Sequence, residues 1–117
     1  MSGPRLEAGA SRIAARTEAG WIIGNRLYAP ALLVTPTQAW SLPGQLLETL
    51  EAAALPPLEG VDLLLLGTGH ALLRPPESFV AGARARGWRV EPMDSAAAAR
   101  TFNVLTAEDR QVGALIL

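Results

Sequence analysis

Near the middle of the chain, Val61-Asp62-Leu63-Leu64-Leu65-Leu66 forms an apolar run of strand length, interrupted only by Asp62. A strand with one wet face alternates apolar and polar residues. A run that does not alternate predicts a strand covered on both faces, and therefore a sheet with layers above and below it. The rest of the chain must supply those layers.

Downstream of the run the punctuation is helical. Pro75 and Pro76 open a helix that turns Phe79, Val80 and Ala83 inward, and Gly87 closes it in the C′ position. Trp88 to Glu91 follows as a strand. Asp94 or Ser95 then caps a helix running to about Leu105, in which Ala96 to Ala99 are small enough for close approach to a sheet. Thr106 to Arg110 reads as a polar turn, and Gln111 to Leu117 as a last strand.

Upstream, Ser11 to Thr17 is a weak strand with Ile13 as its large apolar residue. Trp21-Ile22-Ile23 and Arg26-Leu27-Tyr28 flank Gly24-Asn25, a hairpin signal because both central positions tolerate positive φ. Ala31 to Thr35 forms a further strand after Pro30. Ser41 as cap, Pro43 in the first turn and the stripe Leu46, Leu47 and Leu50 predict another helix, which ends before Pro56-Pro57. On that helix Glu48 and Glu51 would share a solvated face. Trp40 falls between elements and is assigned to the core.

Alternating strands and helices predict an α/β fold. The expectation is a single small domain with a mostly parallel or mixed central sheet, about three flanking helices and an N-terminal antiparallel hairpin layer. At 117 residues, half of them apolar and 18% charged, the chain has room for one such core and no more. Residues 1–9 read as a flexible tail and residues 10–117 as the domain.

Composition removes several function classes. With no cysteine, disulfides and thiolate metal sites are excluded. The single histidine, His70, leaves too few ligands for an ordinary zinc site and only one base for a serine triad, and no Gly-x-Ser-x-Gly elbow occurs. The net charge of −1, with no basic cluster, gives no nucleic-acid footprint. All ten basic residues are arginine, as expected of base composition favouring arginine codons. No apolar run approaches the roughly 20 residues of a membrane helix, and the N-terminus has no apolar signal core. A cytoplasmic protein without metal, cofactor or stable membrane insertion is the expectation.

Two places remain that could carry binding. Gly67-Thr68-Gly69-His70 directly follows the buried strand, where open α/β sheets bind ligands beyond their strand ends. The dinucleotide fingerprint is incomplete there: its third glycine is replaced by Leu72 and the prolines delay the helix, although Glu91 lies near the distance of a ribose-binding acid. The stretch reads as a tight turn, or as a contact for a small ligand or a partner. The second place is the helix that starts at Asp94, where Arg100, Thr101 and Asn103 could hold an anion or brace the glycine loop.

Leu65-Leu66-Gly67-Thr68-Gly69, Gly87-Trp88-Arg89-Val90-Glu91-Pro92-Met93-Asp94, Ala97 with Arg100-Thr101-Phe102-Asn103-Val104-Leu105, and Arg110-Gln111-Val112-Gly113-Ala114-Leu115-Ile116 together resemble the Mth-type domain family. The similarity covers about Ile13 to Leu117. That family takes in uncharacterised bacterial and archaeal proteins, adipogenesis-associated proteins and a mitochondrial respiratory complex I assembly factor. The resemblance implies a small α/β fold with an extra antiparallel layer, and a non-enzymatic binding or assembly role with a protein partner. Carried over by position, Gly67, Thr68, Gly69, Asp94, Arg100, Thr101 and Asn103 match the family pattern. The alternative is an enzyme or binding protein for an anionic small molecule at the Gly67–His70 loop and Arg100. Association between copies is a third reading.

Overall fold

The computed structural model describes residues 12–43 and 46–117. The tail expected over residues 1–9 lies outside the described residues. Among these residues eight strands form two sheets. The first sheet, in order β1-β2-β3, contains β1 (Ile13–Arg16), β2 (Trp21–Ile23) and β3 (Arg26–Tyr28). The second contains β4 (Ala31–Val34), β5 (Ala39–Leu42), β6 (Leu63–Gly67), β7 (Arg89–Met93) and β8 (Val112–Ile116), in order β5-β4-β8-β6-β7. Two α-helices, α1 (Glu77–Ala85) and α2 (Ser95–Ala107), and two short 3-10 turns at Leu47–Thr49 and Ala52–Ala54 are the other regular elements among the described residues.

The apolar run occupies the inside of the large sheet, where β6 pairs in parallel with β7 on one side and β8 on the other. Its alternate residues serve opposite cores. Leu63 and Leu65 join Phe102, Ala98 and Ala99 of α2 and Ile13, Trp21, Ile23 and Tyr28 of the small sheet. Leu64 and Leu66 join Phe79 and Ala83 of α1, Trp88, and the Leu50–Leu58 segment. The chain passes from β6 outward to β7 and then back across β6 to β8. Right-handed crossovers in opposite directions place α1 and α2 on opposite faces of the sheet. Both faces are thereby dry.

Local signals hold in the hairpin and the two helices. Gly24 takes φ 62, and Ile23 pairs with Arg26 across the two-residue turn. Only the first central residue has positive φ, as in the II′ class, so Asn25 does not use the positive φ that it tolerates. Gly87 takes φ 87 and closes α1, with its own N–H bonded to Arg84 O and that of Trp88 to Ala83 O. Those two bonds make a Schellman cap.

One expectation is corrected. The helix expected after Ser41 does not form. Ala39 to Leu42 instead pairs antiparallel with β4, and Trp40 becomes a buried core residue on β5. Ser41 Oγ accepts a hydrogen bond from Ala29 N–H at 3.3 Å rather than capping a helix. The described chain between β5 and β6 is irregular apart from the two 3-10 turns, so Glu48 and Glu51 do not share a helical face. There are thus two α-helices among the described residues, not three. Of the two expected arrangements the large sheet is the mixed one, because β4 inserts antiparallel beside β8.

Candidate functional site

The loop after β6 is built around Ser95. Its hydroxyl accepts from Gly69 N–H at 2.8 Å and donates to Leu117 O at 2.9 Å, while Ser95 N–H donates to Gly69 O at 2.8 Å. Ser95 is fully buried, and a Cβ on Gly67 would stand 3.0 Å from its Cα and Oγ. Gly67 is therefore glycine so that α2 can start directly against the strand end. Thr68 is buried too. Its Oγ1 donates to Ala71 O at 2.6 Å and accepts from Leu73 N–H at 3.0 Å, and its N–H bonds Met93 O. Gly69 adopts φ 99, a conformation that favours glycine.

A helix start beside a glycine loop commonly presents free N–H groups to an anion. Here the Gly69, Ser95 and Ala97 N–H groups are engaged within the fold. Asp94 caps α2 by accepting from Ala97 N–H at 2.8 Å, and the first amides of the loop go to Met93 and Ser95. Asn103 is engaged as well: Oδ1 accepts from Ile13 N–H at 2.8 Å and Nδ2 donates to Ile13 O at 2.9 Å. Thr101 is half-buried on α2. Arg100 is exposed and makes no hydrogen bond or ion pair with another described residue.

His70 is exposed and lines an open cleft with Arg16, Thr17 and Glu18 at the far end of β1. The Arg16 guanidinium lies over the Trp21 ring at 4.8 Å. Asn103 fixes the start of β1, so β1 runs along α2 and delivers its end to the glycine loop. The roles of Arg16 and Ser95 have no local sequence signal, since each depends on a segment distant in the chain. Beyond His70 the loop exposes two leucines, Leu72 at 63% and Leu73 at 51%. On α2, Val104 is also exposed, one turn after Arg100. Among the described residues no group of three or more His, Cys, Asp or Glu is placed to hold a metal. No helix among them is long and apolar enough to cross a membrane.

The profile of a family described as protein of unknown function (DUF498/DUF598) matches residues 13–117. An uncharacterised Rhodobacter capsulatus protein is 46% identical over 68 residues, covering 57% of this chain and 55% of the relative. The match thus spans little more than half the length of that curated relative. A Bartonella henselae structure described as an outer membrane protein superposes with a TM-score of 0.82 at 28% identity, covering 94% of this chain and 96% of the other. A Bordetella pertussis protein described as a Mth938-like domain superposes at 0.73 and 26% identity, covering all of this chain and 92% of its own.

Proposed function

The chain belongs to the DUF498/DUF598 family of Mth-type domains of unknown function, and from that premise we propose that it is a non-enzymatic binding or assembly protein. Its contact surface is the exposed rim of the Gly67–His70 loop, His70 through Leu73, together with Arg100 and Val104 on α2. The observation that carries this reading is the division of labour in the loop. The polar groups of Thr68, Gly69, Asp94 and Asn103 hold the framework together, and the rim beside them exposes adjacent leucines. Paired exposed apolar side chains on an anchored loop suit a protein contact better than acid–base chemistry. The Mth-type resemblance adds respiratory-complex assembly as the setting to test first, and a chain without cysteine is suited to the cytoplasm.

The test is a mild cross-linking pull-down from the native host with wild type, Leu72→Ser/Leu73→Ser and Arg100→Ala. All these positions are exposed, so the variants should remain folded. Reproducible enrichment of a defined complex by wild type, lost in the double variant, is the expected result. Equal recovery by all three proteins overturns the surface assignment.

A second reading places a small anion in the cleft of Arg16, Thr17, Glu18 and His70. The cleft supports it by bringing a guanidinium and an imidazole together at a strand end. A ligand at 100 times its Kd stabilises a protein by about 2.7 kcal/mol, so a thermal-shift screen of metabolite carboxylates and phosphates tests it directly.

A further inference from the structure

We propose that the groove between α1 and the outer edge of β7 docks a short, extended, acidic segment of a partner protein. This surface is separate from the loop rim above, and the inference does not rest on that reading. Two clefts of about 400 and 420 Å³ adjoin along α1, where Val80 and Arg84 line both, and together they make the groove. Its apolar lining includes Val80 of α1 with Val90 and Pro92 of β7. β7 has five residues, and at about 3.3 Å per residue the groove is as long as four or five extended peptide residues.

Charge selects the occupant. Arg74 from the loop before α1 lines one cleft, Arg89 at the start of β7 lines the other, and Arg84 from α1 lines both. None of the three guanidiniums has a hydrogen bond or ion pair within the described residues. Arg16, Arg26 and Arg86 lie instead over the rings of Trp21, Tyr28 and Trp88. Asp62 and Arg89 share one cleft and Glu77 and Arg74 the other, and Arg84 is the charged residue that lines both. The middle of the groove is therefore cationic above an apolar floor, complementary to a carboxylate flanked by apolar side chains. Arg84 also complements the carboxyl end of α1, which accounts for one guanidinium and not for three.

The backbone sets the length of the occupant. Arg89 N–H bonds Asp62 O and Met93 O accepts from Thr68 N–H, so both residues turn their polar groups towards β6. Val90 and Pro92 then face outward. Val90 offers an incoming chain an N–H and a C=O that have no partner among the described residues, while Pro92 has no N–H to extend the pairing. A short segment fits this edge and a full added strand does not.

The experiment titrates the ¹⁵N-labelled full chain with acetyl-Leu-Glu-Leu-Glu-Leu-amide, using the lysine counterpart as a charge control. Amide shifts centred on Arg84, Gly87 and Val90 are expected, with affinity weakened about tenfold by Arg84→Glu/Arg89→Glu and reduced by added salt. The amide spectrum of the variant reports whether it is folded. Equal binding of the lysine peptide, shifts centred on His70 to Leu73 instead, or no shifts with the glutamate peptide overturns the proposal.

Discussion

The side-chain amide of Asn103 engages both main-chain polar groups of Ile13, accepting at 2.8 Å and donating at 2.9 Å across a separation of 90 residues. An amide carries one acceptor and one donor face, as a peptide unit does, so Asn103 stands beside β1 as a neighbouring strand residue would. Ile13 in turn pairs with Ile23, and both belong to the core that α2 shares with the small sheet. One side chain thus ties the N-terminal layer to the helix beneath it.

Asn103→Ala removes both partners and leaves the groups of Ile13 unsatisfied at a partly buried position. A loss of about 1–3 kcal/mol in chemical denaturation is expected. Hydrogen exchange should accelerate first at Ile13 and Ile23, ahead of β6 and β8. Uniform acceleration across both sheets would show that Asn103 supports the whole fold rather than one layer.

Ser95→Ala leaves the Gly69 N–H and the Leu117 C=O without their hydroxyl partner at a fully buried site. The expected cost is again about 1–3 kcal/mol, since a buried orphan group bears its full desolvation penalty. Thermal unfolding of this variant against Thr106→Ala separates the effects. Thr106 Oγ1 bonds only to Phe102 and Asn103 carbonyls of its own helix, so its loss should cost less.

Legibility in the sequence tracks the range of the interactions. The Gly24 turn, the Asp94 cap, the Gly87 C′ position and the two-faced run at β6 are set by residues within a few positions of one another. All were legible. Ser41, Pro43 and the leucines after them carry an equally good local helix signal, and it fails because β4 offers Ala39 to Leu42 a pairing partner. Tertiary pairing overrides local propensity there. The antiparallel insertion of β4 beside β8, the grip of Asn103 on Ile13 and the convergence of Arg16 with His70 depend on long-range closure. No local pattern encodes them.

Arg86 illustrates the same limit at a residue that composition assigns to the surface. Its Nη1 donates to Ala52 O and Leu55 O, each at 2.7 Å, and its guanidinium lies over Trp88 at 4.2 Å. It thereby latches the 3-10 segment onto α1. Arg86→Lys keeps the charge but loses the planar fork that spans two carbonyls and stacks on indole. Destabilisation of about 1–2 kcal/mol, with a shift in tryptophan emission, is expected in urea titrations followed by fluorescence.

Asp109 is the one described non-glycine residue with positive φ, at 60°. It occupies the C′ position after α2, with its N–H bonded to Thr106 O and that of Arg110 to Leu105 O, the same Schellman pattern that Gly87 completes after α1. Asp109→Gly should stabilise the protein by about 0.5–1 kcal/mol, because relief of left-handed strain exceeds the added entropy of the unfolded chain. Thermal denaturation checks it, with Glu108→Gly, at a position of ordinary φ, as the destabilising control.

The two edges of the large sheet are protected differently. β5 lies against β3, where Ala29 N–H reaches Ser41 Oγ, so that edge is covered. Among the described residues no strand pairs with the outer side of β7, and an exposed edge strand invites pairing with another chain. Of its two outward residues, Pro92 lacks an N–H and Val90 alone can pair fully. Pro92→Val restores the missing donor without changing side-chain volume much, and its β-branched side chain favours the strand. The variant should therefore self-associate with rising concentration where wild type does not change, measured by size-exclusion chromatography with light scattering. An Arg89→Pro/Pro92→Val double variant does not restore the barrier, because position 89 faces β6 and a proline there breaks the ladder instead. Val90→Pro/Pro92→Val, which blocks the other outward position, should return the protein to wild-type behaviour. Rescue by proline at 90 but not at 89 is expected only if alternate residues of β7 divide between the sheet and the open edge.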